Sequence, residues 1–186
     1  MKALRKYVDI IKPHFSKGGK FAALESTFEG FETFLFVPNT VTKKGSHIRD
    51  CVDLKRVMIV VVLALLPAAI FGMYNVGLQH FTAFGEMAAA ASIWKCFWFG
   101  FWKVLPIIVV SYVVGLGIEF TMAQIRGEEI NEGFLVSGML IPLVMPVDIP
   151  LWIVALGTAF AVIIGKEVFG GTGMNVFNPA ILARAF

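Results

Sequence analysis

The chain has 186 residues, of which 58% are hydrophobic and only 16% charged, with a formal net charge of +3 and a mean hydropathy of +0.78. A soluble domain is about half apolar and a quarter charged, so the composition excludes a soluble globular class and predicts an all-α polytopic membrane protein. Of the 16 Lys and Arg, all but Lys95, Lys103, Arg126, Lys166 and Arg184 precede Val57; that gradient points to a cytoplasmic N-terminus and membrane lipid, not to nucleic acid.

Residues 1–56 read as a cytoplasmic leader. No short apolar core with a cleavage site follows the charged first residues, so no signal peptide is expected. Phe21, Leu24, Phe28, Phe31 and Leu35 recur at helical spacing, with Glu25, Glu29 and Glu32 on another face. This predicts an amphipathic helix lying on the inner membrane surface. The acidic stripe is either a solvated helix face or a cation-gathering entrance. Pro38-Asn39 ends that helix, and the basic loop from Thr42 to Asp53 leads to the first span.

The membrane domain, residues 57–186, opens with Val57–Tyr74, a long uncharged run flanked by Lys55-Arg56 and kinked at Pro67. An aromatic connector follows, with Trp94, Phe97, Trp98, Phe101 and Trp102 at i, i+3, i+4, i+7 and i+8; anchoring at the opposite interface explains it. The second predicted span is Val104–Ile125 and carries Glu119. A short inner loop then holds Arg126 and the acidic residues Glu128, Glu129 and Glu132. Phe134–Val147 is short for a straight span, Leu151–Gly165 crosses back, and a fifth helix starts at Pro179. The two cysteines, Cys51 and Cys96, fall on opposite sides in this topology, so no disulfide is expected. Neither has a metal-ligand neighbour, which leaves no metal site.

Two features suggest chemistry. Glu119 is an ionisable group inside a membrane helix, where it faces protein, water or an ion unless it reaches the inner interface. About 10 Å of helix separates it from Arg126, which places it below the headgroups. The second feature is the stretch KEVFGGTGMNVFNPA, Lys166 to Ala180. Its glycines permit positive φ and close backbone approach, successive N–H groups can cradle an anion, and Asn175 and Asn178 need partners if buried. The turn is either a functional broken-helix loop or a structural re-entrant turn.

The segments TKKGSHIRDCVDLKR, GMYN, INEGF, KEVFGGTGMNVFNPA and the terminal RAF resemble the B subunits of bacterial Na+-translocating NADH:quinone reductases. The likeness runs over nearly the whole chain, except a shortened connector around Leu78 to Lys103, and covers the N-terminal part of such a protein. It implies the first half of an inverted-repeat, urea-channel-like bundle with broken helices in a bacterial inner membrane. It also implies five partners, the A, C, D, E and F subunits, with electrons passing from NADH through flavins to ubiquinone while Na+ is exported. The family's covalent FMN sits on a Thr in a Ser-Gly-Ala-Thr motif; Thr172, in Gly-Gly-Thr-Gly, does not match, so the covalent FMN and riboflavin are expected of the full-length protein, not of this chain alone.

By the same resemblance Glu119 and Glu29 belong to the Na+ uptake path. Gly115 and Leu116 align with a Gly-Gly pair in the quinone and inhibitor region, from which Leu116 departs. Gly170, Gly171, Thr172, Gly173, Asn175 and Asn178 would line the flavin or ion. Two other readings share these features: the D subunit of the related ferredoxin:NAD+ oxidoreductase, and a non-redox permease of urea-channel type.

Overall fold

The computed structural model describes residues 2–15, 28, 32, 45, 54–85, 92–126, 133–171 and 173–186. Among these, all regular structure is helical: α1 Lys2–Phe15, α2 Leu54–Ala83, α3 Ile93–Arg126, α4 Phe134–Val144, α5 Leu151–Gly165, a 3-10 turn Glu167–Phe169, and α6 Pro179–Ala185. Among the described residues three helical stretches are long and apolar enough to cross a membrane, Val57–Ala83, Ile93–Arg126 and Leu151–Phe169. Much of their apolar surface is exposed, including Val60, Phe71, Val113 and Trp152, as lipid contact requires.

The helices outrun the apolar stretches that announce them. α2 continues through Asn75, Gln79 and His80 to Ala83, because an occasional polar residue removes no backbone hydrogen bond and so does not stop a helix. α3 begins at Ile93, which makes the aromatic stripe its first turns and not a connector. Trp94, Trp98 and Trp102 point outward. α4 stops at Val144 instead of running to Val147, since Met145, next to Pro146, is extended at ψ 148°. At 11 residues it is about 16 Å long, roughly half a bilayer's hydrocarbon thickness.

Small residues set how closely the helices pack. α2 and α3 run antiparallel with Gly77 against the Cys96 backbone and Gly100 against that of Met73; a Cβ on either glycine would overlap those carbonyl groups. His80 stacks on Phe99 at 4.1 Å near the far end of the pair. Along α3 the buried residues are Cys96, Gly100, Val104, Ile107, Ser111, Gly115 and Glu119, one stripe at steps of three and four. α4 returns along that stripe: the Ser111 hydroxyl donates to the Gly138 carbonyl at 3.2 Å and the Tyr112 hydroxyl to Leu135 at 2.7 Å. Phe134, Ile141, Met145, Ala161, Val162, Ala180 and Ala183 form the core where α3 to α6 meet.

The leader holds a contact that its sequence did not announce. Glu32, read as one member of an acidic stripe that is either a solvated face or a cation-gathering entrance, is 8% exposed. It takes ion pairs from Arg5 at 3.5 Å and Lys12 at 2.8 Å on α1, while Phe15 stacks on Phe28 at 4.9 Å. Glu25, Glu29 and the rest of the predicted amphipathic helix, apart from Phe28 and Glu32, lie outside the described residues, as does Cys51.

Candidate functional site

The buried stripe of α3 ends in a charge. Glu119 is 5% exposed and forms an ion pair with Lys166, itself 4% exposed, at the C-terminal end of α5. Two helical turns on, Arg126 pairs with the next residue, Glu167, at 2.9 Å, and its second amino group donates to the Glu167 carbonyl. Seven residues along a helix return to nearly the same face, so Glu119 and Arg126 meet the consecutive Lys166 and Glu167 in opposite order of sign. The four formal charges sum to zero. Buried charges persist only when paired and hydrogen-bonded, and this crossed arrangement meets that demand with one exception: Glu119 Oε2 is buried without a hydrogen-bond partner.

The glycine pair of the following turn has a definite task. Gly170 has φ 113° and Gly171 φ 93°. The Gly171 N–H donates to the Lys166 carbonyl at 3.1 Å and the Gly170 N–H to Glu167 at 3.1 Å. These paired six-to-one and five-to-two bonds make a Schellman cap, which needs a left-handed residue where glycine fits best. Both N–H groups are therefore engaged by carbonyls and do not cradle an anion. Arg126 lies 3.4 Å from where a Gly171 Cβ would be, so the cap and the ion pair are built together.

Beyond the cap, Gly173 and Asn175 to Pro179 face a cleft of about 490 Å³, whose other walls are Met58, Gly133, Val136, Ser137, Leu140 and Lys166. Asn175 donates to the Phe177 carbonyl at 3.3 Å. The Asn178 side chain accepts from the Ala180 N–H at 2.9 Å, capping α6, with Pro179 at its first turn. Gly173, Asn175 and Asn178 are exposed. Thr172 is outside the described residues, as is Glu29.

Gly115 lies one turn before Glu119, where the Phe134 ring fills the space a Cβ would take. Leu116 packs against the core cluster. Structure thus brings Gly115, Leu116 and Glu119 onto one stretch of α3, and joins Glu119 to the glycine turn through Lys166. Lys166 and Glu167 open the KEVFGGTGMNVFNPA stretch, but sequence reasoning gave neither of them a role. Their only signal was two adjacent charges of opposite sign against Glu119 and Arg126 seven apart.

At the other end of the bundle Lys103 and Asp148 pair at 3.6 Å, beside Gln79 and His80 in a cleft of about 340 Å³. Asp148 is well exposed, as befits a solvated turn. No cluster of three His, Cys, Asp or Glu that would hold a metal occurs among the described residues.

Residues 41–186 match the NQR2, RnfD, RnfE family. The chain is 45% identical over 201 aligned residues to the B subunit of the Na(+)-translocating NADH-quinone reductase of Chromohalobacter salexigens, covering 98% of this chain and 49% of that protein. It is 44% identical to the B subunit of the same reductase from Azotobacter vinelandii and 42% to that of Pseudomonas aeruginosa, in each case over 98% of this chain and 50% of the relative. The chain spans about half the length of the curated relatives it matches. With its helical architecture and its membrane-length spans, this chain belongs to the NQR2, RnfD, RnfE family of proteins and is a multi-pass membrane protein.

Proposed function

We propose that the chain works as part of the B subunit of a Na+-translocating NADH:quinone oxidoreductase, in which Glu119 takes up Na+ on its way out of the cytoplasm. Its setting would be a bacterial inner membrane with the N-terminus inside, as the first repeat of an inverted pair, among the A, C, D, E and F subunits as partners. The observation that carries this reading is a carboxylate buried in a membrane helix with one oxygen unpartnered, in a chain similar to B subunits of that reductase. Burial of an acid in a membrane is costly and by default functional.

The chain's residues divide the work. Arg126 and Glu167 lock the end of α5 to α3 and hold the glycine cap in place. Glu119 presents a negative charge in a low-dielectric setting, where its attraction for a cation is stronger than in water. Glu29, in the leader, would gather Na+ at the entrance. Gly115 and Leu116 would border the quinone through the Phe134 wall.

The cleft fits a flavin ring by size and lining: about 490 Å³ lies within the usual range for ligand pockets, and Lys166, Asn175 and Asn178 offer polar groups beside apolar walls. A flavin bound there would supply one-electron transfer toward ubiquinone. Gly173, Asn175 and Asn178 would hold its edge. No Ser-Gly-Ala-Thr occurs in this sequence, so covalent FMN would sit on a Thr of the full-length protein outside it. Coupling then requires flavin reduction to change the affinity of the Glu119 site for Na+, because only differential binding shifts an equilibrium.

The family also includes RnfD, so the D subunit of a ferredoxin:NAD+ oxidoreductase is the second reading; the long charged leader and the names of the relatives favour the first. Glu119→Ala in the intact complex tests it. Quinone reduction should lose most of its Na+ stimulation, and an unchanged Na+ response would remove Glu119 from the path. Flavin content of the full-length protein separates both redox readings from a urea-channel type of permease, which should contain none.

A further inference from the structure

A carboxylate that receives Na+ should be open to it, yet Glu119 already holds a cation, the ammonium of Lys166. We propose that Lys166 is a tethered competitor for the transported ion: it occupies Glu119 when Na+ is absent and moves into the adjoining cleft when Na+ arrives. This rests on the reading of Glu119 as a Na+-pathway residue.

Three observations carry it. Glu119 Oε2 has no partner although the residue is 5% exposed. Buried oxygens are nearly always hydrogen-bonded, and an incoming cation could bind this free one before the ammonium leaves. Lys166 also lines the cleft of about 490 Å³ beside Ser137 and Asn175, so its flexible four-carbon stem can turn to the cleft's polar edge, beside the flavin proposed to sit there. Finally, the backbone at Lys166 and Glu167 is fixed by Arg126 and by the glycine cap. The Lys166 side chain can therefore move while the turn stays.

Charge balance favours exchange over simple binding. Replacing one monovalent cation by another keeps the Glu119 carboxylate neutralised throughout, and so avoids a bare buried charge. The other charged groups at the cluster, Arg126 from α3 and Glu167 from the end of α5, neutralise each other and need not change.

Competition of this kind weakens apparent affinity by the fraction of time the site is free. If the ammonium holds Glu119 for about nine-tenths of the time, removing it tightens Na+ binding about tenfold. In the full-length protein within the assembled reductase, Lys166→Gln should lower the Na+ concentration for half-maximal quinone reduction by about that factor. The measurement belongs at about pH 7, where an ordinary carboxylate is ionised and the competing ammonium is still charged. Lys166→Arg should keep the wild-type value. An assembled Lys166→Gln complex with unchanged or raised half-saturation would overturn the proposal.

Glu119→Gln, measured alongside, separates the two ideas. If it abolishes Na+ stimulation while Lys166→Gln fails to tighten binding, only the competitor role falls. If it leaves Na+ stimulation intact, the reading of Glu119 falls with it. Should Lys166→Gln not assemble, wild-type complex decides. Reductive methylation of Lys166, followed by mass spectrometry, should be several-fold greater in Na+ than in choline, and equal labelling in the two salts would refute the displacement.

Discussion

Gly115→Ala is a one-methyl test of how α3 meets α4. The added Cβ would fall within the Phe134 ring, which is fully buried. The ring cannot swing freely, because it stands edge-on to Tyr112 at 6.4 Å and 90°, and the Tyr112 hydroxyl is held by Leu135 at 2.7 Å. Overpacking of this kind costs about 1–3 kcal/mol. Alanine's better helix propensity offsets about 1 kcal/mol of it. Gly117→Ala supplies the control, since a Cβ there meets nothing within 4 Å and only the propensity gain applies.

The difference between the two variants isolates the clash. At about 2–4 °C per kcal/mol for a chain of this size, the Gly115→Ala protein should melt roughly 2–12 °C below Gly117→Ala in thermal unfolding of the purified complex. Phe134→Leu in the Gly115→Ala background should recover most of that gap, and with it any loss of quinone reduction or inhibitor response. Equal melting of the two alanine variants would refute the packing account. A quinone defect in Gly115→Ala that ignores Phe134→Leu would show that residue 115 touches the quinone directly.

Other substitutions test the remaining contacts. Arg126→Gln leaves Glu167 buried without its partner and should destabilise the protein by about 2–4 kcal/mol, somewhat less than a fully buried pair because the guanidinium is partly exposed; the double variant with Glu167→Gln should recover part of this in the same melting assay. Asn178→Ala removes the α6 cap and should cost about 1 kcal/mol, whereas Asn178→Asp should keep most of the stability. Gly100→Ala should prevent assembly of the detergent-extracted complex, as its methyl meets the Met73 backbone, which cannot rotate aside as a side chain would. Replacing Gly170 and Gly171 together by Leu should destroy the cap of the 3-10 turn after α5 and lower both flavin content and turnover; normal values would make the turn a plain connector.

What the sequence makes legible here is whatever depends on neighbours along the chain. Apolar runs announce α2, α3 and α5, and a lone acid within α3 marks Glu119 as a residue to explain. Helix ends are less legible, since Asn75 to Ala83 and Ile93 to Lys103 mix polar and aromatic residues that a helix tolerates. The Gly170-Gly171 pair announces positive φ, but not which carbonyls its N–H groups will meet; a ligand cradle and a Schellman cap look alike until the end of α5 is placed. Partners far apart in the chain are the least visible. Glu32 looks solvated until Arg5 and Lys12 close on it, and Lys166 looks like a span terminus until α5 folds back beside Glu119. The stripe from Cys96 to Glu119 was readable in principle, as small and polar residues recurring at steps of three and four, yet valine and isoleucine interrupt it and resemble lipid-facing positions.

Sodium transport itself tests the central claim most directly. Inverted membrane vesicles containing the reductase with Glu119→Gln in this chain should take up radioactive sodium on NADH addition far more slowly than wild type at low Na+, with the deficit shrinking as Na+ is raised. Uptake identical to wild type across the whole Na+ range would contradict the assignment of the buried carboxylate to the ion's path.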